Sequence, residues 1–209
     1  MSMRIKLIAA ALMLFVCVGV SAQDVSIEHT FQSELKKKNE HVTSIKCKFT
    51  QTREVSILAK PVSKDGKFCF LKPSNMLLSF NDGDYIKITS EWFEMSTAGH
   101  ITATKVASNP MLKNLNSILS ACMVGDFEKM SSGFSVTYRP SATEWTIVLT
   151  PQRGKAASKI SQIIIVFDRS DMSLNLLKME EKSGDYTAYS FSNKLFNTAI
   201  DTQIFNVTK

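Results

Sequence analysis

The chain has 209 residues, 44% of them hydrophobic and 21% charged, with a formal net charge of +6 at pH 7. That length suits one domain with a substantial core, and no linker composition marks a second. The positive excess is scattered, its one run (Lys36-Lys37-Lys38) reading as a solvated helix face, so nucleic-acid binding through a basic, aromatic-studded stripe is excluded.

The first two dozen residues read as a targeting segment. Arg4 and Lys6 are followed by an almost wholly apolar stretch from Leu7 to Val20, and Val20-Ser21-Ala22 offers small residues for cleavage. This is the pattern of a cleavable secretory signal peptide over residues 1–22, leaving 23–209 as a single exported domain. An apolar run of about 14 residues falls short of the roughly 20 a membrane-spanning helix needs. Cys17 follows Val16 rather than a small residue, so it reads as part of the apolar run and not as a lipidation site. Loss of Arg4 and Lys6 lowers the formal charge to +4.

Val25 to Lys38 places Ile27, Phe31 and Leu35 at helical spacing, with Asp24 or Ser26 available as a cap. From Val42 the period changes to two: Ile45, Cys47 and Phe49 alternate with Lys46, Lys48 and Thr50, a half-buried strand. Lys64-Asp65-Gly66 reads as a turn before a strand from Lys67 to Leu71, which Pro73 ends. Met76 to Phe80 leads through the hairpin signal Asn81-Asp82-Gly83-Asp84 into Tyr85 to Thr89. Short strands are expected at Trp92 to Met95 and Ile101 to Val106, with Ala98-Gly99 between them. Asn109, Pro110 and the spacing of Met111, Leu112, Leu115, Ile118, Leu119 and Cys122 then predict a short one-sided helix closed by Gly125. Strands return at Phe134 to Tyr138, Glu144 to Thr150, Lys159 to Asp168, Leu174 to Glu181 and Tyr186 to Phe191, with a last one near Gln203 to Val207. The apolar run Ile163 to Phe167 fits a strand with apolar surroundings on both faces, and equally a plain two-layer core.

Catalytic chemistry finds no support in these residues. His29, His41 and His100 are isolated, without the i, i+4 spacing of a helical metal site. No cysteine pair has C-x-x-C spacing, and there is no G-x-S-x-G or phosphate-cradling glycine loop. Asp82 and Asp84 read as turn residues, and Glu180-Glu181 on a strand face opposite ways and cannot cooperate. The three mature cysteines, Cys47, Cys69 and Cys122, sit among apolar residues and read as small buried hydrophobes. A Cys47–Cys69 bridge between neighbouring strands stays open. No enzyme, metal or cofactor is expected.

Four stretches, in order, resemble the outer-membrane lipoprotein carrier (LolA-like) family. They are Val42 to Gln51 with its closing Phe49-Thr50-Gln51; Gly66 to Pro73 with its aromatic strand and basic-Pro turn; Asp82-Gly83 with Tyr85 and Ile86; and Tyr186 to Phe191 followed by Asn197, Ile200 and Phe205. The resemblance implies an α+β fold: a strongly curved antiparallel β half-barrel with short helices covering the concave apolar face. It implies a periplasmic, monomeric carrier that binds the acyl chains of lipoproteins in a hydrophobic cavity and ferries them from inner to outer membrane. Its partners would be the acylated lipoprotein or other lipid cargo, an inner-membrane ABC transporter and an outer-membrane acceptor.

On this reading Phe49, Phe68, Phe70, Met76, Leu78, Phe80 and Trp92 are the sheet-side candidates for the ligand site, and Met111, Leu112, Leu115, Ile118 and Leu119 form a Met-containing lid that re-packs around cargo. Ordinary core packing explains each position equally well, and one sequence does not say which strand faces are concave. Lys72 stands where familiar members carry an arginine linked to lid closure and lipid release, and Leu77-Leu78 where many carry Arg-Trp. Lysine keeps the charge but lacks the planar fork of arginine. These departures keep two alternatives open: a carrier of another lipid or lipid-like biosynthetic product, and a non-transporting envelope binding module.

Overall fold

The computed structural model describes residues 22–108, 118–123, 133–152 and 159–208. The expected signal peptide, apart from its last residue Ala22, and the lid candidates Met111, Leu112 and Leu115 lie outside the described residues. Helix α1 (Ala22–Asn39) comes first, then the strands β1 (Ser44–Glu54), β2 (Val62–Leu71), β3 (Asn75–Phe80), β4 (Tyr85–Ile88), β5 (Trp92–Thr97) and β6 (His100–Lys105). After a helical segment at 118–123 come β7 (Phe134–Pro140), β8 (Glu144–Pro151), β9 (Ile160–Asp168), β10 (Leu174–Glu181) and β11 (Tyr186–Phe196).

All eleven strands form one antiparallel sheet in the order β6-β5-β4-β3-β2-β1-β11-β10-β9-β8-β7. The end strands β6 and β7 do not pair, so the sheet is an open, curved half-barrel. Two meanders are joined at the centre by β1 and β11, paired from Ile45 opposite Phe196 to Glu54 opposite Tyr186. Shifts of register at Lys46/Lys48, Leu174/Leu176 and Glu180/Glu181 bend the strands, as bulges do.

This strand order gives the connection between β6 and β7 a special task. It must pass from one edge of the sheet to the other, and the helical segment 118–123 that it carries lies in the core, with Ile118, Leu119, Ala121, Cys122 and Met123 all buried. α1 occupies the β7–β9 end. Phe31, fully buried, meets the rings of Tyr138, Trp145 and Phe167 at 5.5, 5.4 and 5.4 Å. Burying Phe31 and Leu35 contributes about 1.5–3 kcal/mol each. Trp145 Nε1 donates to Glu34 Oε2 at 3.0 Å, and Lys38 Nζ in the last helical turn donates to the Ser170 carbonyl at 3.0 Å.

The structure overturns two readings of the sequence and decides two that the sequence left open. Lys64-Asp65-Gly66 is not a turn but part of β2, which begins at Val62 and pairs Gly66 with Phe49 and Phe80. The C-terminal segment is not a strand; Thr202–Phe205 is a short 3-10 helix capped by Asp201, whose carboxylate accepts the Gln203 N–H. Cys47 and Cys69 are both free. Their partners across β1 and β2 are Phe68 and Lys46, so the two thiols face opposite sides of the sheet. The run Ile163 to Phe167 has one core face: Ile163, Ile165 and Phe167 are buried, while Ile164 and Val166 are half-buried on the other side.

Candidate functional site

Registers assign the concave face residue by residue. Ile45, Cys47 and Phe49 of β1 stand opposite Phe70, Phe68 and Gly66 of β2, which stand opposite Met76, Leu78 and Phe80 of β3. Met76 and Leu78 in turn pair with Ile88 and Ile86 of β4. On the other half the row continues through Ile147, Ile165, Leu177 and Tyr189. Apart from Gly66 and the half-buried Ile86, every one of these side chains is buried. The aromatic ones interlock, Phe49 on Phe80 at 5.1 Å and Phe68 on Phe191 at 5.5 Å.

Six of the predicted sheet-side residues (Phe49, Phe68, Phe70, Met76, Leu78 and Phe80) therefore share one floor, and Ile118 and Leu119 belong to the same buried cluster. Beside Met123 the floor leaves a void of about 10 Å³, bordered by Ile45, Cys47, Phe68, Phe191 and Lys194. Such a space holds at most one water. Trp92 is the exception. It pairs with Lys105 while its neighbour Phe93 pairs with Thr104, and it falls on the convex side with Glu94, its ring 5.7 Å from Lys105 Nζ. Period two places Trp92 and Phe93 on opposite faces, and Phe93 is the one packed against the core. Lys72 is exposed in the β2–β3 turn, where its backbone N–H donates to the Thr43 carbonyl at 2.9 Å.

Where β1 runs on beyond Phe49, the face opens. A groove of about 360 Å³ lies between the β1–β2 loop and β3–β5, lined by Val55, Leu58, Val62, Phe80, Ile86 and Met95 together with Gln51, Arg53, Lys64, Asp84 and Thr97. Gln51 Nε2 donates to the Tyr189 hydroxyl at 2.7 Å. Lys64 Nζ sits 2.6 Å from Asp82 Oδ2 and 2.9 Å from Asp84 Oδ2. These hydrogen bonds hold the Lys64 ammonium above its ordinary value and both carboxyls below theirs. Sequence reasoning missed this groove. The signal was present in the continued alternation Phe49-x-Gln51-x-Arg53 and in the apolar Ile57-Leu58 of the loop. Lys194 was also missed: it reaches the edge of the floor, bonded to Ser173 Oγ at 2.7 Å and to Asn175 Oδ1, and burial lowers its pKa. Among the described residues no group of His, Cys, Asp and Glu is arranged to hold a metal.

An open antiparallel half-barrel with an apolar concave floor and helices packed into it is the form of a lipid-binding, carrier-like module. Residues 40–208 match the family model of the outer membrane lipoprotein carrier protein LolA, and the chain belongs to that family. No curated protein sequence matches it. Among solved structures it is similar to an uncharacterized conserved protein from Thermus thermophilus, at 8% identity and a TM-score of 0.53 over 87% of this chain and 94% of that one. It is also similar to the crystal structure of MucB, at 11% identity and a TM-score of 0.50 over 90% of this chain and 64% of that one. These two likenesses show a shared fold. A LolA superfamily protein from Nitrosomonas europaea aligns at 12% identity and a TM-score of 0.42 over 84% of this chain and 97% of that one.

Proposed function

We propose that this protein is a periplasmic carrier, exported by a cleavable signal peptide, that shields the acyl chains of lipoproteins between the inner and the outer membrane. The observation that carries the reading is the continuous apolar floor of Phe49, Phe68, Phe70, Met76, Leu78 and Phe80 beneath Ile118 and Leu119, in a chain of the lipoprotein-carrier family. An acyl chain in water costs about 0.8 kcal/mol per exposed methylene, and a floor of this composition offsets that cost without fixing one cargo geometry. With the floor filled, cargo enters when the 118–123 segment lifts. Its residues then exchange contacts with the sheet for contacts with lipid, so loading and release are near balance. Handover would run from an inner-membrane ABC transporter to an outer-membrane acceptor. By their spacing in the sequence Met111, Leu112 and Leu115, outside the described residues, would belong to the same lid, and Lys72 at the β2–β3 turn tunes release.

Native mass spectrometry of the protein, purified from a bacterial periplasm without detergent, tests this. A discrete added mass that fragments to an acylated peptide is the expected result. A clean apo mass that stays unchanged after incubation with acylated peptide would end the carrier reading in favour of a filled-core binding module. Lysine at position 72 and leucines at 77 and 78, where the family pattern has arginine and Arg-Trp, favour a second reading with a different lipid cargo. The added mass separates the two.

A further inference from the structure

The geometry points to a second binding element at the open end of the floor: the groove between the β1–β2 loop and β3–β5 takes a single-chain anionic amphiphile, its alkyl chain on Val62, Ile86 and Met95 and its head on Arg53. This deepens the carrier reading above and rests on it. The charge pattern selects the head. Lys64 is matched by Asp82 and Asp84, and the remaining carboxylate oxygens accept backbone N–H groups, Asp84 N–H to Asp82 Oδ1 at 3.2 Å and Ala98 N–H to Asp84 Oδ1 at 2.8 Å. Arg53 lines the same groove, and its guanidinium has no ion-pair or hydrogen-bond partner among the described residues. Its planar fork suits a carboxylate or phosphate in bidentate contact.

The dimensions select one chain. About 360 Å³ is near the lower end of ligand sites, which run from roughly 300 to 1,000 Å³. The apolar lining is also poised for contact, since Leu58, Val62 and Met95 are exposed at 47%, 48% and 37%. Among the described residues no other large apolar strand side chain on this face is as open, the rest of the floor being buried or half-buried. A fatty acid and a lysophospholipid share the required chemistry.

The test is calorimetric titration of the periplasm-purified protein with dodecanoate, dodecyl phosphate and dodecyl maltoside below their micelle concentrations, beside acylated peptide. The expected result is one equivalent of each dodecyl compound, the anionic heads binding about three- to fivefold more tightly, as a partly exposed ion pair allows. Arg53→Gln should erase that difference and leave the maltoside unchanged, while Met95→Glu should weaken all three and Lys60→Gln none. Dodecyl phosphate alone gaining from Arg53 would assign the head as phosphate. Equal affinity for all heads, or an unchanged preference in Arg53→Gln, would overturn the role of Arg53. Acylated peptide binding with no dodecyl compound bound would overturn the groove and leave the carrier standing, and no binding of either would remove both.

Discussion

The ring of Phe49 fills the place that a side chain at Gly66 would take. A Cβ on Gly66 would lie 2.6 Å from Phe49 Cε1 and 2.4 Å from the Ser79 carbonyl oxygen on β3. The glycine thus lets Phe49 lie down across β2 and reach Phe80. Since one of the obstructing atoms is backbone, the strands themselves must shift to admit a methyl group. Gly66→Ala should destabilise the protein by about 1–3 kcal/mol, read as a lower denaturant midpoint at unchanged slope. An unchanged midpoint would mean the Phe49 ring moves away freely.

On the convex face, Glu94 is fully buried and binds Lys87 Nζ at 2.9 Å, the Tyr85 hydroxyl at 2.8 Å and the Thr208 N–H at 2.6 Å. Lys87 also donates to the Asn206 carbonyl, so this pair latches the C-terminal segment across β4 and β5. Burial by itself raises the Glu94 carboxyl, but the hydrogen bonds from Lys87, Tyr85 and Thr208 outweigh it and hold it below its ordinary 4.5. A depressed folded value contributes stability that is complete above the unfolded value and fades as pH falls through the folded one. Glu94→Gln should cost about 3–5 kcal/mol at pH 7, because Lys87 is left buried and unmatched. Its stability should also fall less steeply than the parent's below about pH 4.5. Parallel acid curves for the two proteins would contradict the latch.

Lys72 presents its side chain to solvent and contributes one backbone hydrogen bond to Thr43, which any residue but proline supplies. Lys72→Leu should therefore change stability by less than about 0.5 kcal/mol while altering the rate at which bound acylated peptide is released to an acceptor. A large drop in thermal stability with release unchanged would assign Lys72 to folding instead.

The cysteines report on the covered floor. Burial pushes the Cys47 thiol up to about 12 and raises Cys122 further still, while the half-exposed Cys69 on the opposite face is raised as well. With an aromatic disulfide reagent at pH 8, Cys69 should react first in the native protein and Cys69→Ser should remove that phase. Cys47 and Cys122 should wait for unfolding. Should Cys47 react as fast as Cys69, the concave face would not be covered in solution.

Much of the local structure could be read from the chain because it depends on near neighbours. Alternation at Ile45-Cys47-Phe49, the Asn81 to Asp84 turn and the stripe Ile27-Phe31-Leu35 all encode their elements within a few residues. β2 escaped this reading at its start because Lys64-Asp65-Gly66 looks like a turn in isolation. In the sheet its aspartate accepts from Thr50 Oγ1 at 2.6 Å and its glycine makes room for Phe49. Residues 203–207 alternate like a strand, yet the backbone of Asn206 and Thr208 is committed to Lys87 and Glu94.

What the amino-acid order determined by itself was the antiparallel meander and the apolar residues available for a floor, since period and turn chemistry are properties of short segments, while four ordered motifs carried the resemblance to the family. Only the tertiary structure decided which face each residue serves. Register put Trp92 outside among its near neighbours on β4 and β6 and Arg53 inside, and the pairing of β1 with β11 bent two meanders around one hollow. That last pairing joins residues more than a hundred positions apart, and in any of these pairings a shift of a single residue exchanges the faces of a strand.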